Sequence, residues 1–225
     1  MYPSVEFEEY TVKKGDSMYT IAKKYDFSFD LPSILSTLIV SRILSPSSKL
    51  STYEYAKTFI EQPTFSLHDM YRALDILSQN TDYILSQLYK NSIQIIPRNT
   101  SVLYYDCSNF YFEIEEPDGL KQYGKSKEHR PNPIIQMGLF MDGNGIPLSF
   151  VIYPGNANEQ PSLIPLEKKI IKDFNISKFI VCTDAGLAST TNRKFNALQQ
   201  RSFIVTQSLK NLKGHLKDWA LDPTG

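Results

Sequence analysis

The sequence predicts an α/β protein, a mixed sheet preceded by a small helical domain. Three observations lead there. Apolar residues recur at helical spacing across residues 31–96. After Pro97-Arg98-Asn99 the texture changes to short apolar runs bounded by turn residues. Those runs form three meandering strands and then alternate with helices, in the order β-β-β-α-β-α-β.

Composition frames the reading. The chain has 225 residues, of which 41% are hydrophobic, enough for one ordinary domain and a smaller one. Lys and Arg total 24, as do Asp and Glu, so the formal net charge is zero and any nucleic-acid contact must come from local patches. No apolar run is long enough for a membrane span, and the N-terminus has neither the basic start nor the apolar core of a secretory signal. A cytoplasmic protein is expected. Its only cysteines, Cys107 and Cys182, lie in apolar strand-like runs and read as buried free thiols.

The elements follow in order. Residues 1–30 form a short segment, with a strand hinted by Val5, Phe7, Tyr10 and Val12 and a short helix capped at Asp16-Ser17. Residues 31–98 form the helical domain, suited to DNA binding or dimerisation. Its first helix carries Leu35, Leu38 and Ile39 and ends at Ser45-Pro46. A second runs near Ser51 to Ile60. Ser66 caps a third that carries Leu67, Met70, Leu74 and Leu77, and a fourth starts at Thr81-Asp82. Residues 99–225 form the α/β domain. Its strands are expected over Ser101–Asp106, extended through Ile114, then Ile134–Asp142, Ile146–Pro154, Lys178–Thr183 and Ser202–Thr206. Asp142-Gly143-Asn144-Gly145 is a hairpin turn. Helices are expected over Gln160–Phe174 and residues 189–200.

Two aspartates stand out. Asp106 ends the apolar run of the first strand, and Asp184 follows the apolar run of the fourth. An anion in a buried strand is costly unless compensated. If the two strands are neighbours, both carboxylates reach one edge of the sheet, where a divalent cation would relieve their repulsion. The plainer reading of Asp184-Ala185-Gly186 is a turn or helix cap. Between the first two strands, Lys121, Lys125, Lys127, His129 and Arg130 can track a phosphate backbone; the plainer reading is a solvated hairpin tip. His68 and His215 read as surface or structural residues. Trp219 can stack on a base, but packing is the plainer role.

The stretches LYYDCSNFYFEIEE, YGKSKEHRPNPIIQMGLFMDGNGIPLSFVIYPGNANE, FIVCTDAGLAS and FIVTQSLK, in that order, resemble bacterial insertion-sequence transposases of the Asp-Asp-Glu class. Within that class the chain is similar to the insertion-sequence-four superfamily, over about residues 31–225. The resemblance implies a ribonuclease H-like core with Asp106 and Asp184 as catalytic, metal-binding carboxylates for Mg²⁺ or Mn²⁺. It implies cleavage and strand transfer at transposon ends, double-stranded DNA as partner, a homo-oligomer, and residence with the nucleoid. It places Gly124 to Pro131 near DNA or the active site, and Asn156 at a polar family position. The family's third carboxylate, a Glu on a late helix, has no match; Asp218 and Asp222 lie too close to the fifth strand. The chain therefore reads as a truncated transposase, with apolar sheet surface left exposed and weak cleavage expected. The alternative is a catalytically dead DNA-binding or interaction remnant that associates with intact transposase.

Overall fold

Capping side chains and prolines delimit the helices that open the structure, a computed structural model that describes residues 29–223. The chain divides into two units between Gln87 and Leu88. The strand and capped helix expected before residue 29 lie outside the described residues.

In the first unit, α1 spans Leu31–Leu44, α2 Lys49–Ala56 and α3 Leu67–Gln79; α4, Thr81–Ser92, crosses the division. Asp30 starts α1 by accepting from Ser33 N at 3.1 Å, and Ser45-Pro46 stops it, because the residue before a proline is driven out of helical backbone. Ser66 and Asp69 form a reciprocal capping box on α3, with Asp69 N donating to Ser66 Oγ at 3.2 Å and Ser66 N to Asp69 Oδ2 at 3.0 Å. Leu31, Ile34, Phe65, Met70 and Ala73 make the core. Ile39, expected on the apolar side of α1, faces solvent, as does Ile43.

The second unit is built on five strands: β1 Val102–Tyr111, β2 Ile134–Asp142, β3 Pro147–Pro154, β4 Ile180–Thr183 and β5 Ser202–Val205. Their order is β3-β2-β1-β4-β5. β1 to β3 pair antiparallel, while β1–β4 and β4–β5 pair parallel. The first and fourth strands are neighbours. A 3₁₀ turn, Gln160–Ser162, leads into α5, Leu163–Asp173; α6 spans Thr190–Asn196 and α7 Gly214–Ala220. The sequence reading did not foresee α7. Its Trp219 is 74% exposed, so the packing role expected for it is not met.

The sheet is covered on one face. Along β1, Leu103, Tyr105, Cys107 and Asn109 are buried and the residues between them are exposed. The buried face packs with Leu163, Leu166 and Ile170 of α5 in the core, and Tyr105 OH meets Ser162 Oγ at 2.6 Å. Register puts Tyr104, Phe110, Ile152 and Ile204 together on the other face. All four are exposed, so this face presents apolar surface. Both cysteines are free, Cys107 buried and Cys182 only half-buried on the open face.

Two buried ion pairs brace the unit. Arg98 Nε donates to Asp142 Oδ2, and the same guanidinium reaches Ser92 Oγ at 2.6 Å and the Pro147 carbonyl at 3.2 Å. Asp142 Oδ1 accepts from Asn144 N at 3.0 Å and Ile146 N at 2.9 Å, closing the hairpin turn. Residues 92–98 are thus tied to the sheet, consistent with a division that falls within α4 rather than at Pro97. Breaking a buried pair from one side leaves the other charge uncompensated. Arg98→Met is expected to lower unfolding free energy by about 3 kcal/mol, read from the urea midpoint.

The second pair is Glu167 and Arg201, at 3.4 Å. Glu167 is fully buried and neither of its oxygens makes a well-formed hydrogen bond. Burial pushes its carboxyl up to about 7, against the pull of the nearby Asn196 amide and the Arg201 guanidinium. The unfolded chain releases this proton near 4.5, the ordinary value, whereas the folded chain keeps it to about 7. Its contribution to stability is therefore full below 4.5, declines as pH rises through 7, and is constant beyond. Urea midpoints measured from pH 5 to pH 8 should fall by the equivalent of roughly 2–3 kcal/mol from this group. Glu167→Gln should flatten that dependence.

Candidate active site

The register of β1 against β4 decides where the two aspartates stand. Val102 pairs with Ile180, Leu103 with Val181 and Tyr104 with Cys182. Two residues further along each chain are Asp106 and Asp184. Asp184 keeps extended backbone, φ −76 and ψ 176, so it holds the parity of Cys182. β4 and its pairing with β1 end before this point, so Asp106 stands within β1 on its exposed side and Asp184 just past the end of β4.

Both carboxylates are exposed. Neither is the buried anion in need of compensation that the apolar runs suggest: Asp106 lies on an exposed side of β1 and Asp184 past the end of β4, so each is left in water. Asp106 Oδ1 accepts from Cys107 N at 2.7 Å, and Asp184 Oδ1 accepts from Leu187 N at 3.2 Å. The second contact caps the 3₁₀ turn Ala185–Leu187, so the plainer reading of Asp184 as a cap holds as well. Each carboxylate keeps Oδ2 without a protein partner among the described residues. Hard oxygen donors of this kind suit Mg²⁺ or Mn²⁺. Among the described residues no group of three or more metal-ligating side chains comes together.

The turn carrying Asp184 is fastened from the 3₁₀ turn before α5 and from α6. Gln160 Nε2 donates to Gly186 O at 3.0 Å, and Asn192 Nδ2 donates to Leu187 O at 2.9 Å and Gln160 O at 3.1 Å.

Where β1, β3 and β4 finish and β2 begins, an open hollow of about 570 Å³ is lined by Asn109, Lys125, Lys127, His129, Glu159 and Asp184, among others. Of the five basic residues singled out in the sequence, three meet there. The other two are engaged elsewhere: Lys121 pairs with Asp118 at 2.7 Å, and Arg130 lies over the Tyr111 ring at 4.9 Å. Asp106 does not line the hollow. The basic loop is not a free hairpin tip. Asn109 Nδ2 donates to Lys125 O at 3.2 Å and its Oδ1 accepts from Lys127 N at 3.1 Å. One buried amide thus grips the loop on both sides of Ser126. The only hint in the sequence was an Asn amid the aromatics of a strand, and its orientation could not be read: Asn109 is buried while Phe110 is exposed.

The far wall is stitched by two glycines. A Cβ on Gly124 would lie 2.0 Å from Gly155 O, and one on Gly155 would lie 2.1 Å from Ile134 O. Gln136 Nε2, buried on β2, donates to Gly155 O at 3.0 Å and Ala157 O at 2.6 Å. The wall has no room for a methyl group, so Gly155→Ala should destabilise the unit by about 1–3 kcal/mol, read by urea unfolding. The same variant should lose protection of the residue 122–127 amides in hydrogen exchange.

The comparisons with known proteins are few. The family model for the LysM domain matches residues 10–31, about a tenth of the chain and mostly outside the described residues. No curated protein matches. Among solved structures, the chain is similar to a piggyBac transposase synaptic complex with hairpin DNA, at 13% identity and a TM-score of 0.40, over 82% of this chain and 45% of that one. It is also similar to a Mos1 transposase paired-end complex with the left transposon end, at 14% identity and a TM-score of 0.32, over 89% and 61%. A Mos1 mariner paired-end complex with Mn matches at 11% identity and a TM-score of 0.32, over 88% and 61%. The chain thus spans about half to three-fifths of these proteins. At such TM-scores the functional reading rests on this chain's own geometry.

Proposed function

We propose that the second unit is a ribonuclease H-like domain of a DNA transposase of the Asp-Asp-Glu class, insertion-sequence-four superfamily. Its ancestral reaction is divalent-metal-dependent cleavage and strand transfer at transposon ends. What supports this reading is that Asp106 and Asp184 each lie two residues past the last pair of the adjacent parallel strands β1 and β4. Asp106 and Asp184 would hold Mg²⁺ or Mn²⁺ through their Oδ2 atoms. Such an ion, when bound, activates a water or 3′-hydroxyl and stabilises the leaving oxygen of a phosphodiester.

The chain's own residues prepare the site in two ways. The backbone N–H groups of Cys107 and Leu187 orient one oxygen of each carboxylate. The Gln160–Gly186 and Asn192–Leu187 bonds fix the turn on which Asp184 is carried. The helices between residues 31 and 92, within the domain expected over 31–98, serve in DNA binding or dimerisation of a homo-oligomer on double-stranded DNA, in the nucleoid. A second reading, a non-catalytic DNA-binding remnant that associates with intact transposase, is favoured by the basic loop: Asn109 presets it without need of a metal.

Two measurements separate these readings. Mn²⁺ binding followed by electron paramagnetic resonance should weaken at least about tenfold in Asp106→Asn and in Asp184→Asn, as for loss of a ligand from a hard-cation site. Unchanged Mn²⁺ binding in both variants would remove the metal pair. Metal-dependent nicking of a transposon end, lost in Asp106→Asn, supports the catalytic reading; DNA binding with no such nicking supports the remnant.

A further inference from the structure

Strand pairing leaves a demand unmet at the end of the sheet. Ile180 N donates to Ser101 O at 2.9 Å, so the peptide groups of the odd-numbered residues of β1 face β4, since successive residues alternate between edges. β4 ends at Thr183, and its pairing with β1 ends at Tyr104 and Cys182. The carbonyl of Cys107, on that edge, therefore lies past the end of β4. Lys127 Nζ donates to it. An ammonium has three N–H donors. The carbonyl takes one, and two remain in the hollow.

We propose that this hollow is a phosphate-binding site in which Lys125, Lys127 and His129 take the oxygens of a single phosphate group. Three features point to that ligand. The two lysines and His129 lie on one loop and line the same hollow. The loop is held before the ligand arrives, because the Asn109 amide bonds its backbone on both sides of Ser126, while His129 N donates to Ser126 O at 3.2 Å and Arg130 N to Ser126 Oγ at 3.2 Å. Preorganisation of this kind lowers the ordering cost of binding. The hollow, at about 570 Å³, also exceeds a phosphate and admits the sugar attached to it. Asp184 and Glu159 line it too and repel an anion on their side, which confines the phosphate to the loop wall. The phosphate belongs either to a DNA backbone or to a free nucleotide or ion, and the chemistry that holds it is shared. The site does not depend on the metal pair of the preceding section.

The test uses the full chain, with inorganic phosphate and a short DNA duplex titrated separately by calorimetry. Lys127→Met and Lys125→Met should each weaken phosphate binding about tenfold, the loss of one charge-assisted contact. Asn109→Ala should weaken it several-fold with both lysines and His129 still present. Lys210→Met, an exposed lysine of the 3₁₀ turn Leu209–Asn211, should change nothing. If the source is the DNA backbone, Lys127→Met also lowers the salt slope of duplex binding by about one. If the duplex is unaffected while phosphate weakens, the source is a free phosphate or nucleotide. Should Lys127→Met fail to fold, Lys125→Met decides, because the Lys125 side chain is exposed and its structural bond, to Asn109, is made by its backbone carbonyl. Phosphate and duplex affinities unchanged in both lysine variants, or no measurable binding of either probe, overturn the proposal. Loss of the Mn²⁺ result alone sinks the metal pair and leaves this site standing.

Discussion

The shortness of β4 governs the second unit. It has four residues beside the ten of β1, so more than half of the central strand has no neighbour on that edge. Unpaired backbone groups away from water are costly, and the chain meets this cost locally. Lys127 reaches back to the Cys107 carbonyl, and Asp184 turns the departing chain by capping Ala185–Leu187. The same geometry opens the hollow and leaves Asp184 in water past the end of β4. Had β4 run on beside β1, there would be neither a basic wall nor an accessible carboxylate at this end.

Charge is distributed with a consistent logic. The fully buried charge-bearing side chains are in the scaffold: Arg98 with Asp142 at the hairpin, and Glu167, which keeps its proton to about pH 7, with Arg201 between α5 and the start of β5. There, desolvation raises the cost of a broken pair and so ties each element to one position. The candidate site groups remain in water, where a cation or phosphate can exchange. Precision at the site comes instead from neutral groups, chiefly the Asn109, Gln136, Gln160 and Asn192 amides, which bond backbone atoms of the surrounding loops.

Much of this was legible in the chain. Apolar spacing and capping residues located α1 to α4, and the Asp142–Gly145 turn located the hairpin between β2 and β3. Asp106 and Asp184 were recognisable because each closes an apolar run. What was not legible were the side chains whose partners lie far along the chain. Nothing near Arg98 announces Asp142, and nothing near Glu167 announces Arg201. The exposure of Asp106 was misjudged for a related reason: an apolar run shows that a strand pairs, and does not show that both faces are covered. Tyr104 and Phe110 look like core residues in sequence and lie on the uncovered face.

Local chemistry, then, determined the elements, their order and the residue types at the candidate site, because capping, turn formation and periodicity act over a few neighbouring residues. Tertiary structure alone decided which strands are neighbours, which face of the sheet is open, and which three of five basic residues share a hollow with Asp184. Those outcomes follow from parallel register and from where β4 stops. Both are set by packing between segments dozens of residues apart, which no local pattern encodes.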